Sequence, residues 1–240
     1  MYACYLSIVI PVYNEERRLP KALDRLFLFL ENQAYTSEVL VVENGSDDNT
    51  YNQACAYAKQ FPQLRVFQES ERGKGLAVKR GMLEAAGEYR FMCDVDFSMP
   101  VEEINKFLPP NLTGYDIAIA SREVSGAIRY NEPFHRHFVG RVFNQLIRRL
   151  ALPGFHDTQC GFKCFHAPVV KDLFSRQTIS GWTFDVEILY IANLMGYRIL
   201  EVPIPWFFNP ESKVKVFRDS LNMARDLMAI RKNAQRGLYI

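Results

Sequence analysis

Two carboxylates stand two residues apart in Asp94-Val95-Asp96, where an apolar run breaks into a turn. On a turning backbone such a pair can converge on one cation. Hard oxygen donors of this kind favour Mg²⁺ or Mn²⁺, with a diphosphate completing the coordination. D-x-D alone is common in solvated loops, so its weight comes from three companions. Pro11-Val12-Tyr13-Asn14-Glu15-Glu16 closes another apolar run. Proline removes a donor and fixes φ, so a strand must stop there and present Asn14 and Glu15 where a nucleotide can meet them. Glu43-Asn44-Gly45-Ser46-Asp47-Asp48-Asn49-Thr50 follows a third run. Gly45 permits a tight turn, and the acidic side chains can accept hydrogen bonds from a base or ribose. Arg72-Gly73-Lys74-Gly75 opens a helix, and amides at a helix start beside cations suit a phosphate. The G-x-x-x-x-G-K-[ST] phosphate loop is absent.

The second half is rich in arginine. Between 121 and 150, Arg122, Arg129, Arg136, Arg141, Arg148 and Arg149 face only Glu123 and Glu132. A guanidinium can fork onto phosphate oxygens, and Arg122, at a strand end, is read less readily than the later arginines as part of a solvated face. Arg141, Arg148 and Arg149 have the spacing of a solvated helix face. His156, Cys160, Cys164 and His166 lack the C-x2-C knuckle of structural zinc sites, and buried thiols are the expectation there.

These groups need a scaffold that brings them to one edge. Leu6–Ile10, Val39–Val42, Leu64–Phe67, Glu88–Cys93 and Asp116–Ala120 read as buried strands. Helical periodicity over Glu16–Glu31 and Gly75–Ala86, a helix capped by Asp47 or Asp48, and a short helix closing at Ile104–Leu108 separate them. The alternation predicts an α/β fold, a Rossmann-like, mostly parallel sheet with helices on both faces. Such sheets bind ligands beyond the carboxyl ends of their strands, where the polar stretches cluster. Further strands are expected over Gly161–Phe165 and Arg198–Val202, and helices over Thr183–Met195 and Val216–Arg231. No repeat or linker divides the 240 residues, so a single domain is expected.

Composition closes off other classes. Hydrophobic residues make up 48% and charged residues 23%, which excludes a disordered chain or a coiled coil. With 29 Lys+Arg against 27 Asp+Glu the net charge is +2, so no global basic field marks a nucleic-acid binder. No apolar run nears the ~20 residues of a membrane span, and the apolar start lacks the basic leader of a signal peptide. Five cysteines, an odd number without a disulfide-like pattern, point to a reducing, cytoplasmic setting.

In this order and spacing the four polar stretches resemble family 2 glycosyltransferases of the GT-A fold, with Glu43-Asn44 replacing the usual Asp-Asp. Four further stretches narrow the resemblance: Ser121-Arg122, Asp157-Thr158-Gln159-Cys160-Gly161-Phe162-Lys163, Trp182-Thr183-Phe184-Asp185-Val186-Glu187 and Ala224-Arg225-Asp226-Leu227. They are similar to the dolichyl-phosphate β-glucosyltransferase branch and to polyprenyl-phosphate hexosyltransferases generally. The resemblance implies inverting, metal-dependent transfer of a hexose to a polyprenyl phosphate, with UDP-glucose as donor ahead of GDP-mannose. It divides the domain into a nucleotide-sugar half over 1–120 and an acceptor half over 121–240.

It also assigns residues. Pro11, Tyr13, Glu15, Glu43, Gly45, Lys74 and Asp94 go to the nucleotide sugar, and Asp94 and Asp96 to Mg²⁺ or Mn²⁺. Arg122, Arg129 and Arg136 go to the acceptor phosphate. Asp157, with Asp185 or Glu187 behind it, would orient or deprotonate the acceptor, although Asp185 and Glu187 could equally neutralise the arginines. Two other readings remain: a transferase acting on a sugar or protein hydroxyl, and a nucleotide-sugar-binding scaffold without turnover. The eukaryotic glucosyl enzymes carry an N-terminal membrane anchor, and this chain is expected to resemble a version without one. It is therefore expected to dock peripherally on the cytoplasmic face of a membrane, through the basic segments 121–150 or 211–240 or through a separate membrane-embedded partner.

Overall fold

The first two apolar runs form strands because Val and Ile dominate them and both of their faces are largely buried. β1 (Cys4–Val12), β2 (Ser37–Asn44), β3 (Leu64–Glu69) and β4 (Gly87–Cys93) alternate with α1 (Leu19–Glu31), α2 (Thr50–Ala58) and α3 (Lys74–Glu84). A 3-10 helix over Val101–Phe107 leads to β5 (Ile117–Ser121) and β6 (Ile128–Tyr130). The chain continues through β7 (Phe162–His166), α4 (Ala167–Arg176), α5 (Phe184–Leu194), β8 (Ile199–Pro203), β9 (Pro205–Phe207) and α6 (Val216–Gln235). The structure, a computed structural model, describes residues 2–133, 140–141, 144–145, 147–210 and 216–240, with side chains from 222 onward in the last segment. Arg136 and the segment 211–215 lie outside the described residues.

Among the described residues, seven strands form one sheet in the order β3-β2-β1-β4-β7-β5-β8. The pairs β1–β2, β2–β3, β1–β4 and β5–β8 are parallel, and β7 enters antiparallel to both β4 and β5. The chain winds outward from β1 to β3 and then crosses back to β4, so the carboxyl ends of β1 and β4 part at a topological switch. β6 and β9 pair separately as a short parallel ribbon.

Alternation along β1 sorts the two cores. Leu6, Ile8 and Ile10 pack with Leu23, Leu26 and Phe27 of α1 and with Phe107 of the 3-10 helix. Val9, with Leu40 and Val42 of β2, packs against α3, α4, α5 and α6 through Val78, Val170, Phe184 and Leu227. Both faces of the sheet are thus covered by helices.

Three elements escape the sequence pattern. β6 and β9 are too short to show a period. α4 opens Ala167-Pro168, with proline in the first turn, where its missing N–H costs nothing. α1 begins at Leu19 rather than Glu16, because the amides of Arg18 and Leu19 both donate to Glu15 O in a preceding turn. The Cys–His set does not converge: the Cys160 sulfur meets that of Met99, Cys164 meets Tyr115, and His156 pairs with Glu201.

α3 lies close on β1 and β2 because Gly81 has no side chain. A Cβ there would sit 2.3 Å from Val9 Cγ1 and 3.0 Å from Val42 Cγ2. Gly81→Ala should therefore destabilise by about 1 to 3 kcal/mol through overpacking, despite a gain of about 1 kcal/mol in helix propensity. Urea denaturation should give a lower midpoint at unchanged slope. A midpoint at or above wild type would show that α3 can move off the sheet without cost.

Candidate active site

The loops after β1, β2 and β4 meet at the carboxyl edge and are stitched to one another. Asn14, at φ 51°, donates its N–H to Ser46 Oγ at 2.9 Å and accepts the Asp47 N–H at 2.8 Å. The Glu15 N–H donates to Thr50 Oγ1 at 2.7 Å, and that of Glu16 to Asp48 at 3.2 Å. Asp48 in turn accepts the Thr50 N–H at the start of α2. These bonds shape a cleft of about 800 Å³ whose walls include Pro11, Tyr13, Glu15, Asn44, Arg72, Lys74, Asp94, Asp96 and Trp182. Of the residues the sequence assigned to the nucleotide sugar, Glu43 and Gly45 alone are not among its lining. Gly45, at φ +68°, supplies the left-handed turn. Glu43 is buried beneath it, accepting hydrogen bonds from the Ser46 N–H and from Gln68 Nε2.

Asn44 takes the wall position, because successive residues of β2 point to opposite sides. Its Oδ1 accepts the Gly73 N–H at 2.9 Å, while the Gly75 N–H donates to Ser180 O at 2.8 Å. Two amides at the start of α3 are therefore spoken for, and the cations beside them become the groups suited to phosphate. The Arg72 guanidinium lies 5.0 Å from the Tyr13 ring centre and bonds Asp47 at 2.7 Å. Lys74 Nζ sits 2.6 Å from Asp94 Oδ1 and 5.1 Å from the centre of the Trp182 ring. Burial opposes the charge on Lys74, but Asp94 and Asp185 outweigh it and raise its pKa.

Burial, reinforced by the charge of Asp94, raises the pKa of Asp96, against the Ser98 amide that donates to it at 3.0 Å. Phe97 follows at φ 41°, a strained conformation for a bulky residue, held by its burial. Gly161 leaves room for the neighbouring carboxylate, since a Cβ there would fall 2.0 Å from Asp94 Oδ2. The pair fits a divalent cation. Its oxygens are hard, they crowd one another, and an ammonium already stands against Asp94. Two carboxylates are a partial set of the kind Mg²⁺ completes with substrate phosphates and water. Among the described residues, no group of three or more His, Cys, Asp or Glu makes a fuller one.

The carboxylates expected near the acceptor are engaged elsewhere. Asp157 is fully buried and binds Arg122 through Nε at 2.6 Å, Nη2 at 2.9 Å and the backbone N–H at 3.0 Å. Burial pushes its pKa up, yet the charge and hydrogen bonds of Arg122 win and hold it at about 2. Such a group aims Arg122 and has no affinity for a proton at neutral pH. Asp185 pairs with buried Lys163 at 2.8 Å; burial raises its pKa against the pull of Lys163 and Lys74. Glu187 accepts hydrogen bonds from the amides of Thr178 and Ile179, from Thr178 Oγ1 and from the Tyr239 hydroxyl.

Arg129 pairs with Glu123 and with Glu132, the latter at 2.6 Å. The guanidiniums of Arg122 and Arg129 both lie over Trp206, at 5.4 and 5.7 Å. Lys163 and Trp206 were not anticipated, although a lysine inside the apolar run Phe162-Lys163-Cys164-Phe165 signals a buried partner.

Comparison with known proteins gives the family and the fold. A family model described as glycosyl transferase family 2 matches residues 7–174. The dolichyl-phosphate beta-glucosyltransferase of Drosophila melanogaster is 36% identical over 240 residues, covering 94% of this chain and 74% of that protein. The protein of the same name from Mus musculus is 35% identical, with 98% and 77% covered. Among solved structures, Mycobacterium tuberculosis glucosyl-3-phosphoglycerate synthase with Mn²⁺, UDP and glucosyl-3-phosphoglycerate superposes at a TM-score of 0.69. It is 18% identical, covers 95% of this chain and 78% of its own, and shares the GT-A fold. With the family match over most of the sheet and two relatives matched along nearly the whole chain, the protein belongs to glycosyltransferase family 2 and is a hexosyltransferase.

Proposed function

We propose that this enzyme transfers glucose from UDP-glucose to the phosphate of a polyprenyl lipid such as dolichyl phosphate, with inversion. The names of the relatives favour glucose over mannose. The observation that carries the acceptor class is the state of the carboxylates. Asp157, Asp185 and Glu187, the three groups suited by sequence to take a proton, are bound to Arg122, to Lys163, and to the 178–179 backbone. A hydroxyl acceptor would need a base, and these three are already bound to other groups. A phosphate monoester has a second pKa of about 6 and is already a nucleophile at neutral pH.

In this reading Pro11, Tyr13 and Glu15 meet the nucleoside, and Lys74 turns from Asp94 to a diphosphate oxygen. Asp94 and Asp96 would hold Mg²⁺ or Mn²⁺, which when bound offsets the charge on the departing nucleoside diphosphate. Asp157 grips Nε and Nη2 of Arg122, and the proposal gives the Nη1 edge, outside that fork, to the acceptor. Arg129 stands beside it on the same indole. A phosphate oxygen attacks the anomeric carbon from the face opposite the diphosphate, the carbon–oxygen bond to the diphosphate breaks, and UDP leaves with the electron pair. The Phe207 N–H donates to Ser98 O at 2.7 Å. It ties β9, which carries Trp206, to the turn that carries Asp96, so both ends of the reaction share one frame. A lipid acceptor requires contact with a bilayer, and among the described residues no helix is long and apolar enough to cross one. Peripheral docking through the arginine-rich segment 121–150, alone or with a membrane-embedded partner, is part of the proposal.

The direct test is UDP release from UDP-glucose with and without polyprenyl phosphate. Release should require the lipid, stop with EDTA and return with Mg²⁺ or Mn²⁺. Equal release with a simple sugar alcohol would favour the hydroxyl acceptor instead. Arg122→Lys keeps the charge and loses the fork, so KM for the lipid phosphate should rise about tenfold while calorimetric affinity for UDP-glucose is unchanged. Equal loss of both would place Arg122 on the donor.

Asp157→Asn strips a buried arginine of its counterion and should cost about 3 kcal/mol at pH 7. The folded pKa of about 2 lies below the ordinary 3.8, so the stabilisation is complete above about pH 4 and fades as pH falls through 2. The gap between variant and wild type should therefore shrink by about 1 kcal/mol at pH 3, read from urea midpoints. A gap independent of pH would mean that the charge of Asp157 is not what stabilises the fold.

A further inference from the structure

Trp182 has no part in the scheme so far, yet it lines the cleft with 38% of its surface exposed. Its loop is fixed on both sides. Upstream, buried Glu187 gathers the amides of Thr178 and Ile179 at 3.0 and 2.8 Å and the Tyr239 hydroxyl at 2.6 Å. Ser180 O then accepts the Gly75 N–H at 2.8 Å. This approach is possible only because glycines face the loop: a Cβ on Gly73 would lie 2.5 Å from Ser180 O, and one on Gly75 2.7 Å from Ile179 O. Downstream, Thr183 Oγ1 donates to Asp226 at 2.6 Å where α5 begins. An indole is thereby held at the rim of the cleft, directly over the start of α3.

Its position along the cleft identifies the part of the ligand it can meet. Tyr13 and Arg72 stack at one place on the wall, while Trp182 stands with Lys74 and Asp94. In a nucleotide sugar the groups follow in the order base, ribose, diphosphate, hexose. Trp182 stands beside Lys74, the cation given to the diphosphate, whereas Tyr13 is covered by a different cation, Arg72, so in this reading Trp182 is the ring placed to meet the hexose. The ring face is covered by the Lys74 ammonium at 5.1 Å, the same group that turns to the diphosphate. The negative face of an indole attracts a cation, and equally the positively polarised C–H edge of a sugar ring. One neighbour can replace the other.

We propose that Trp182 is the platform on which the donor hexose rests, opened when Lys74 moves from its ring face to the diphosphate. The inference depends on the nucleotide-sugar reading above and adds to it the residue that meets the sugar. Glu187, read from sequence as an acid–base candidate, is then a positioning residue that fixes the loop.

The test compares wild type, Trp182→Ala and Trp182→Phe by calorimetry with UDP and with UDP-glucose in the presence of Mn²⁺, repeated with GDP and GDP-mannose if the wild type prefers them. Trp182→Ala should weaken the nucleotide sugar about tenfold and the bare diphosphate less than about twofold, and Trp182→Phe should recover most of the loss. The chain has two tryptophans, so fluorescence gives a second reading. UDP-glucose should change the wild-type signal more than UDP does, and that difference should vanish in Trp182→Phe while Trp206 still emits. Equal weakening of UDP and UDP-glucose, or none, would overturn the platform while leaving the nucleotide-sugar reading intact. A wild type that binds no nucleotide or nucleotide sugar would remove that reading, and the platform with it.

Discussion

Four charges of alternating sign run through the carboxyl edge of the sheet: Asp94, Lys74, Asp185 and Lys163. The outer contacts are short, 2.6 Å for Asp94–Lys74 and 2.8 Å for Asp185–Lys163. The middle of the series is electrostatic, with Asp185 helping to sustain the charge on Lys74. Lys163 and Asp185 are almost wholly buried, at 2% and 6% side-chain exposure. Removing either would strand a charge in the interior, at a cost of several kcal/mol. The series also explains β7. An antiparallel strand inserted between β4 and β5 interrupts the parallel winding, but it delivers Lys163 from the middle of the sheet to α5 and Gly161 to the flank of Asp94.

Buried ion pairs add little net stability over apolar packing, because desolvation consumes most of the Coulomb gain. Their effect here is on geometry. Asp157 fixes Arg122, Glu187 fixes the loop below Trp182, and Lys163 fixes Asp185. Asp157 and Glu187 each accept several hydrogen bonds, which set their own orientation and that of their partners. Preorganised cations suit a reaction whose nucleophile and leaving group are both anions. In the proposed reaction the nucleophile is already an anion, so these carboxylates act by holding cations and loops in place.

How far the sequence could be read follows from the range of each interaction. β1 to β4 and α3 were legible because their signals are local: a β-branched run, a proline stop, an amphipathic period. Asp94, Asp96 and Lys74 were legible for the same reason, each ending or opening such an element. Arg122 was read from sequence as an anion ligand, but its partner in the structure is Asp157, 35 residues away, and no local pattern distinguishes a carboxylate that aims an arginine from one that accepts a proton. Glu43 and Asn44 show the limit at its finest. The motif marks the turn, but which neighbour faces the cleft depends on strand register, and β2 turns Glu43 under Gln68. Trp182 appeared only as part of a resemblance, since the position of its loop depends on close packing against Gly73 and Gly75, about 100 residues earlier in the chain.

The two ends of the site store charge differently, and the difference matches what each must do in the proposed reaction. Arg122 is a planar cation locked by two side-chain bonds to an aspartate with a pKa of about 2. Lys74 is a point charge on a flexible stem, joined to Asp94 by one contact, with 17% and 32% of the two side chains exposed. A lysine can exchange one anion for another by rotating its stem, whereas a forked arginine loses directional bonds when it moves. The donor end must accept a diphosphate and release it in every cycle, so its local charge changes repeatedly and its cation has to move. The acceptor end has to hold one phosphate oxygen in line with the anomeric carbon, where a small misplacement costs rate steeply. In the proposed reaction, a lysine free to rotate at the diphosphate and an arginine held by its fork at the nucleophile would meet those demands.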